Sequence, residues 1–520
     1  MHPDIHASMA RDFGAIADLV RLHARHTPDH AALADAQHTL DYRALDKLMD
    51  RIAASLQRDG LRPGDAIAVC AASSVRYAAV FLGALRAGVA VAPLAPGSAP
   101  ASLARMIEDA DAHILFTDAG AAEVVGPASP GGIPRVALDD SAAGRGFETW
   151  LAPAGAQPVP AEVQPASPFN IIYSSGTTGE PKGIVQGHGM RWSHVQRGAK
   201  YEYGGDTVTL LSTPLYSNTT LVVFFPTIAF GGCAVLMPKF DALGYLQLAE
   251  RHRATHTMLV PVQYQRLMAH PRFGEHDLSS YRFKFSTSAP FHAALKADVL
   301  ARWPGGLIEF YGMTEGGGTC ILEAHLHPDK LHTVGQPAPG SDIRLIDEDG
   351  NELPRGNTEA AGEVVGHSAG MMTGYHRQPG KTREAEWFDA TGKRFIRTGD
   401  VGRFDADGFL TLFDRKKDMI ISGGFNIYPS DLEAVLRGHA AVADVAVVGV
   451  LSQQWGETPV AFVVRREGHD GISADALLQW ANAQVGKTQR LAALELIDEL
   501  PRSAIGKVLK RELRDRVQAP

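Results

Sequence analysis

Cysteine is scarce in this chain of 520 residues. Cys70, Cys233 and Cys320 are its three thiols, far apart and without CxxC spacing. That excludes a disulfide scaffold or a zinc finger and suits a reducing compartment. Also lacking is any run of about 18 uncharged apolar residues, so no membrane span is expected. Basic charge is not in excess either: the formal net charge is −8, without the electrostatic footprint of a general nucleic-acid binder. The opening stretch MHPDIHASMARDFG is acidic and polar where a secretory signal is basic and then apolar. The expectation is a soluble, cytoplasmic protein with no nucleic-acid partner.

What the chain does have is ordinary globular composition, 45% apolar and 21% charged residues. Its length implies more than one folding unit at roughly 100–200 residues per domain. Phe13, Ile16, Leu19 and Val20 recur at helical spacing, while Ala66–Val69 and His113–Phe116 are short apolar runs bounded by turn residues. Residues 119–167, rich in Ala, Pro and Gly, read as a loop-rich connection. Strand-like runs follow at Asn170–Tyr173, Val208–Leu211, Ala234–Met237, Thr257–Val260 and Ile308–Tyr311. Helical patterns at Ala242–His252 and Phe291–Arg302 separate several of them, which predicts mainly parallel sheets covered by helices. After residue 335, short strands alternate with Gly and Asp turns, as in an antiparallel, barrel-like section. A smaller unit begins near Lys417, with a helix over Pro429–Arg437, strands over Val442–Val450 and Pro459–Val464, and a basic terminal helix over Lys507–Val517.

The strongest chemical signal is the segment YSSGTTGEPKG, residues 173–183, directly after an apolar strand. Its glycines let backbone N–H groups converge on an anion, its hydroxyls add donors and Lys182 adds charge. It is not a Walker A loop, because GxxxxGK[ST] cannot be placed on it. Four further segments carry chemistry-bearing residues: YGMTE (311–315), RTGD (397–400), DRKKDMIISGGFNIYP (414–429) and PRSAIGK (501–507). Each alone has a plainer reading, as a turn carboxylate, a solvated charge run or a helix-capping lysine. Their joint occurrence in this order decides.

Together the five segments resemble the adenylate-forming superfamily of acyl-CoA synthetases, carrier-protein adenylation domains and luciferases, over residues 13–514. The resemblance implies an α/β fold. A large N-terminal domain (1–413) has two helix-flanked sheets plus a β-barrel, and a hinge (414–417) leads to a small mobile α+β domain (418–520). It implies ATP, Mg²⁺ and CoA, and a reaction in which a carboxylic acid becomes an acyl-adenylate and then a thioester.

Carried over residue by residue, the resemblance puts Ser174, Ser175, Gly176, Thr177, Thr178, Gly179 and Lys182 around the β- and γ-phosphates. Glu315 and Thr177 would hold Mg²⁺, and Thr314 would contact the α-phosphate. Tyr311 and Gly312, with Ala289 and Pro290 opposite, would enclose adenine. Asp400 would accept the ribose hydroxyls and Arg415 would assist there. Lys507 would bridge the acid and the α-phosphate, making Lys507, Thr314, Glu315 and Thr177 the catalytic set. Lys417 falls at the hinge, and Ser422, Gly423 and Gly424 would line the CoA tunnel.

The chain also departs from the family pattern. Where a histidine often gates the acid site, the sequence TPLYSN (213–218) has Ser217, and an amino-acid-specific aspartate is absent there. Tyr216, Ser217, Asn218, Gly316 and Gly317 are the expected acid-pocket residues. The glycines 316–318 are read as leaving space, with Val222–Phe225 either lining an apolar pocket or forming helix core. His188 and Cys320 are expected to be structural. The leading expectation is a CoA ligase for an apolar fatty or aromatic acid, with carrier-protein loading as the alternative. The oligomeric state, a homodimer included, stays open.

Overall fold

A computed structural model of the chain describes residues 2–126, 132–174, 181–415, 418–422, 425–453, 455–469, 471–486, 489–503 and 506–518. Two compact units emerge. The larger comprises Met1–Asp342 with Gly366–Ile396, the smaller Ile343–Val365 with Arg397–Pro520.

The larger unit contains two sheets. One runs Gly374–Tyr375, Lys182–Gly187, Pro168–Ser174, Ala90–Leu94, Ala66–Cys70, Ala112–Thr117, Arg135–Ala137 and Arg145–Gly146. From Pro168–Ser174 onward its neighbours are parallel, and the first two pairings are antiparallel. The other sheet has nine strands, with parallel Val208–Leu211, His256–Leu259, Phe283–Ser286 and Gly306–Tyr311 at its centre. These largely buried strands alternate with helices, the predicted α/β pattern.

Five elements carry the site: strand β1 (Pro168–Ser174), strand β2 (Lys182–Gly187), helix α1 (His188–Arg197), helix α2 (Asn218–Ala229) and strand β3 (Gly306–Tyr311). Helix α2, NTTLVVFFPTIA, is apolar on nearly every face, as a helix enclosed by protein must be. Phe225 on α2 packs edge-on to Phe169 of β1 at 4.9 Å and to Phe81 at 5.5 Å. Phe224 and Phe225 are 0% and 1% exposed. They are core, each contributing roughly 1.5–3 kcal/mol by burial, and the pocket reading of these two side chains is set aside.

Two sequence expectations need correction. Residues 119–167 hold short elements: a helix at Ala119–Val125, strands at Arg135–Ala137 and Arg145–Gly146, and a helical turn at Phe147–Trp150. Trp150 is buried edge-on against Phe116 at 5.0 Å, so this stretch extends the sheet and closes its core. Ala/Pro/Gly composition hides such strands because they are only two or three residues long. The terminal helix spans Lys510–Gln518, which leaves Lys507 in the loop before it. A bridge between Arg502 and Val508 and a bond from Leu509 N to Pro501 O hold that loop in place of a helical turn.

In the smaller unit, residues 400–404 pair antiparallel with Leu410–Arg415. A sheet of Phe425–Ile427, Ile420–Ser422, Gly456–Arg465 and Val442–Ser452 is joined by Ala493–Leu496. Helices Pro429–Arg437 and Ala474–Asn482 bury Leu432, Leu436 and Leu477 with the apolar strand faces. This is the expected small α+β part.

Candidate active site

β1 and β2 form a hairpin in which Ser174 lies opposite Lys182. Of the expected phosphate loop, these two flanks are described, and Ser175, Gly176, Thr177, Thr178 and Gly179 lie outside the described residues. The ammonium of Lys182 stands over the ring of Tyr375, 5.2 Å from its centroid. Tyr375 in turn donates its hydroxyl to Glu315 Oε1 at 2.9 Å. Burial and the adjacent Glu315 raise the pKa of that hydroxyl, so it stays protonated and remains a donor. Glu315 is fixed a second time, its carbonyl accepting from Met372 N at 2.7 Å.

Thr314 is tied down from another side. Gln186, buried on β2, donates from Nε2 to the Thr314 carbonyl at 2.7 Å. The strand pairing of Gly374–Tyr375 with β2 and the bond from His376 N to Gly183 O, 2.6 Å, are what carry Tyr375 to this place. The expected residues Lys182, Thr314 and Glu315 are thus brought together, with Tyr375, Gln186 and Met372 as supports that sequence reasoning missed.

Parallel strands Phe283–Ser286 and β3 end near each other, so the loop carrying Ala289–Pro290 and the loop that Gly312 opens after Tyr311 leave the same carboxyl-terminal end of the sheet, where α/β sheets bind ligands. Ser288, just before Ala289, has φ +79°, an uncommon conformation for a residue with a side chain. Its hydroxyl is 2.5 Å from that of Thr219 on α2. That contact links the loop before Ala289 to helix α2.

Of the expected acid-pocket residues, Ser217 caps α2, its hydroxyl accepting from Thr219 N at 3.3 Å. Tyr216 and Asn218 are half-buried beside it. The glycine run differs from its sequence reading. Gly316, Gly317 and Gly318 all have positive φ, and a Cβ on Gly316 would lie 2.0 Å from the Gly370 carbonyl. The run serves a close backbone approach to residues 366–371. His188 is buried edge-on to Phe169 at 4.9 Å, and burial lowers its pKa to about 4. Cys320 is buried and its thiol pKa is raised by desolvation. Both are buried, as the structural expectation requires.

The remaining expected residues belong to the smaller unit. Asp400 lies opposite Arg415 in the strand register, its N–H bonded to Thr398 Oγ1 at 3.0 Å. The side chain of Arg415 lies outside the described part. Ser422 pairs with Phe425, and Lys417, Gly423 and Gly424 fall outside the described residues. Lys507 is exposed in a turn closed by Ser503, whose N–H donates to the Lys507 carbonyl at 2.8 Å.

As a donor set, Glu315 fits Mg²⁺: a hard carboxylate, oriented by a hydroxyl, beside a lysine suited to phosphate. Residues 20–376 match the AMP-binding enzyme family, and residues 431–507 match its C-terminal domain. The chain belongs to the AMP-binding enzyme family. A feruloyl-CoA synthase from Amycolatopsis sp. is 32% identical over 95% of this chain and 97% of its own length. A fatty acid–[acyl-carrier-protein] ligase, ScoC, from Streptomyces coeruleorubidus is 32% identical over 95% of each chain. Among solved structures, the amide bond synthetase McbA from Marinactinospora thermotolerans has TM-score 0.84 at 28% identity, covering 96% of this chain and 99% of its own. ATP-bound MatB from Rhodopseudomonas palustris has TM-score 0.83 at 30% identity, with 96% and 99% covered. This AMP-binding enzyme has no helix among its described residues long and apolar enough to cross a membrane.

Proposed function

We propose that this AMP-binding enzyme is an acyl-CoA synthetase for an apolar fatty or aromatic carboxylic acid. It is an ATP-dependent acid–thiol ligase that uses ATP, Mg²⁺ and CoA. The acid carboxylate attacks the α-phosphorus of ATP, releasing pyrophosphate. The CoA thiol then takes the acyl group from the adenylate and AMP leaves. The observation that carries the reading is the convergence of Lys182, Glu315 and Thr314, the last two held by Tyr375 and Gln186. A cation and a carboxylate gathered by one tyrosine, next to a threonine fixed through its carbonyl, are preorganised groups of the kind nucleotidyl transfer requires.

Within this reading Glu315, with Thr177, holds Mg²⁺, which neutralises charge on the phosphates. Lys182 and the 174–179 loop take the leaving pyrophosphate, and Tyr311, Gly312, Ala289 and Pro290 flank adenine. Asp400 and Arg415 serve the ribose. Lys507 stabilises negative charge developing between acid and α-phosphate. The 414–417 segment is the hinge between domains 1–413 and 418–520, and Ser422, Gly423 and Gly424 admit the thiol arm. The cytoplasm is the proposed compartment, supported by three cysteines that are all free.

Carrier-protein loading is the second reading, favoured by the likeness to ScoC. Pyrophosphate release with ATP, Mg²⁺ and a panel of carboxylic acids, with and without CoA, separates the two. Turnover with one acid class that needs CoA supports the ligase, whereas adenylate formation indifferent to CoA overturns it in favour of a carrier protein.

A further inference from the structure

Arg191 on α1 is fully buried, and among the described residues no carboxylate pairs with it. Its Nε and Nη2 donate to Asn170 Oδ1 at 3.1 and 3.0 Å. Nη2 also reaches Asn218 Oδ1 at 2.9 Å and Gln186 Oε1. The rings of Phe169 and Phe225 lie 5.9 and 5.7 Å from the guanidinium. Desolvation lowers its pKa to about 9, which leaves it charged at neutral pH. A buried cation met by amide oxygens, two aromatic rings and, 3.5 Å from Nη1, the His194 Nδ1, with no carboxylate among the described residues, is an expensive feature for the core to retain, and its neighbours indicate what it orders.

A guanidinium donates and cannot accept. Asn218 and Gln186 therefore turn their oxygens toward Arg191 and their NH₂ groups away from it. For Gln186 the consequence is the bond to the Thr314 carbonyl. For Asn218, the first residue of α2, Nδ2 meets no acceptor among the described residues, and the side chain is only half-buried. A donor is thus held open at the head of the acid-side helix, beside Ser217.

We propose that Arg191 is a positioning residue for substrate choice: it holds Asn218 as a hydrogen-bond donor to an oxygen on the body of the acid. The inference rests on the acid-activating function proposed above and narrows its substrate class. The enzyme prefers acids that carry an acceptor oxygen beyond the reacting carboxylate over hydrocarbons of the same shape. A site built to bond a substrate oxygen rejects the analogue lacking it, because the donor is then left unpaired.

The test uses the full-length protein and sets of acids on one skeleton: a methylene, a carbonyl or hydroxyl, and a second carboxylate at the same position. KM and kcat for ATP-dependent pyrophosphate release are measured separately. The expected result is a kcat/KM at least about tenfold higher for an oxygen-bearing member, expressed mainly in KM. A preference confined to the diacid makes the acceptor a carboxylate, and one shared by carbonyl and hydroxyl makes it a neutral oxygen. Asn218→Asp keeps an oxygen on Arg191 and supplies a counter-charge, yet offers no donor. It should raise the thermal midpoint while erasing the preference. Arg191→Met should lose the preference as well, and Arg191→Lys should restore part of it.

Equal kcat/KM within every set for the native enzyme, or a preference that survives in Asn218→Asp, overturns the proposal. If no acid is turned over, acid activation itself falls. Thermal shifts by the same acids, native protein against Asn218→Asp, then decide the donor role alone: a larger shift by the oxygen-bearing acid, lost in the variant, upholds it, and equal shifts overturn it.

Discussion

The Tyr375 hydroxyl donates to Glu315 Oε1 at 2.9 Å across 60 residues of chain, while the Tyr375 ring lies under the Lys182 ammonium. One side chain thus orients the carboxylate proposed to hold Mg²⁺ and the lysine proposed to hold phosphate. Tyr375→Phe keeps the ring and removes only the bond. It is expected to raise the half-saturating Mg²⁺ concentration about tenfold, the scale of one hydrogen bond to a charged group, with kcat nearly restored at high Mg²⁺. Magnesium titration of pyrophosphate release checks this, and an unchanged titration would refute the orienting role.

Lys507 is exposed in its turn, so Lys507→Ala should leave the thermal midpoint unchanged, as surface substitutions do. Adenylate formation should drop by about 10²–10³-fold, the effect of deleting one transition-state donor. A variant equal to the native enzyme in ATP–pyrophosphate exchange would remove Lys507 from the mechanism.

Gly316→Ala distinguishes the two readings of the glycine run. With φ +92° and a Cβ 2.0 Å from the Gly370 carbonyl, alanine forces the backbone apart. We expect a loss of about 2–3 kcal/mol of stability, from strain and overpacking together, read as a fall in the urea midpoint. If the glycine merely left pocket space, stability would hold and only acid preference would change.

Burial lowers the pKa of both His188 and His256 to about 4. For each, the unfolded chain binds a proton near pH 6.5 and the folded protein does not until about pH 4. Stability is therefore full above about 6.5 and falls as pH drops through that window, by up to roughly 3 kcal/mol per histidine at 1.36 kcal/mol per pKa unit. Urea denaturation at pH 7 and pH 5 measures the slope. His188→Leu, which cannot titrate there, should reduce the slope and leave the His256 part.

Much of this was legible in the sequence. Val208–Leu211 is a strand with the bounds its apolar run implies, and Ala234–Met237 is displaced by one residue to Cys233–Leu236. Thr314 and Glu315 follow a strand, as expected, and Lys182 flanks the glycine-rich loop. The supports were harder to see. Asn170 within the strand FNIIY is a lone polar residue at a buried position, a signal that something is held there without saying what, whereas Arg191 sits among the other polar residues of α1 and is not singled out by the sequence. Tyr375 gave no signal, because its role depends on a two-residue strand pairing with β2.

The order and spacing of five local segments determined the family chemistry, because an anion-binding turn or a strand-end carboxylate is encoded by neighbouring residues. Hydrophobic periodicity likewise determined the α/β class. Tertiary structure alone decided which side chain faces which: Tyr375 on Glu315, Gln186 on Thr314, and Arg191 on Asn218. Those pairings span 27 to 128 residues. They follow from sheet register and from a buried helix packed between strands, neither of which is written into any local stretch.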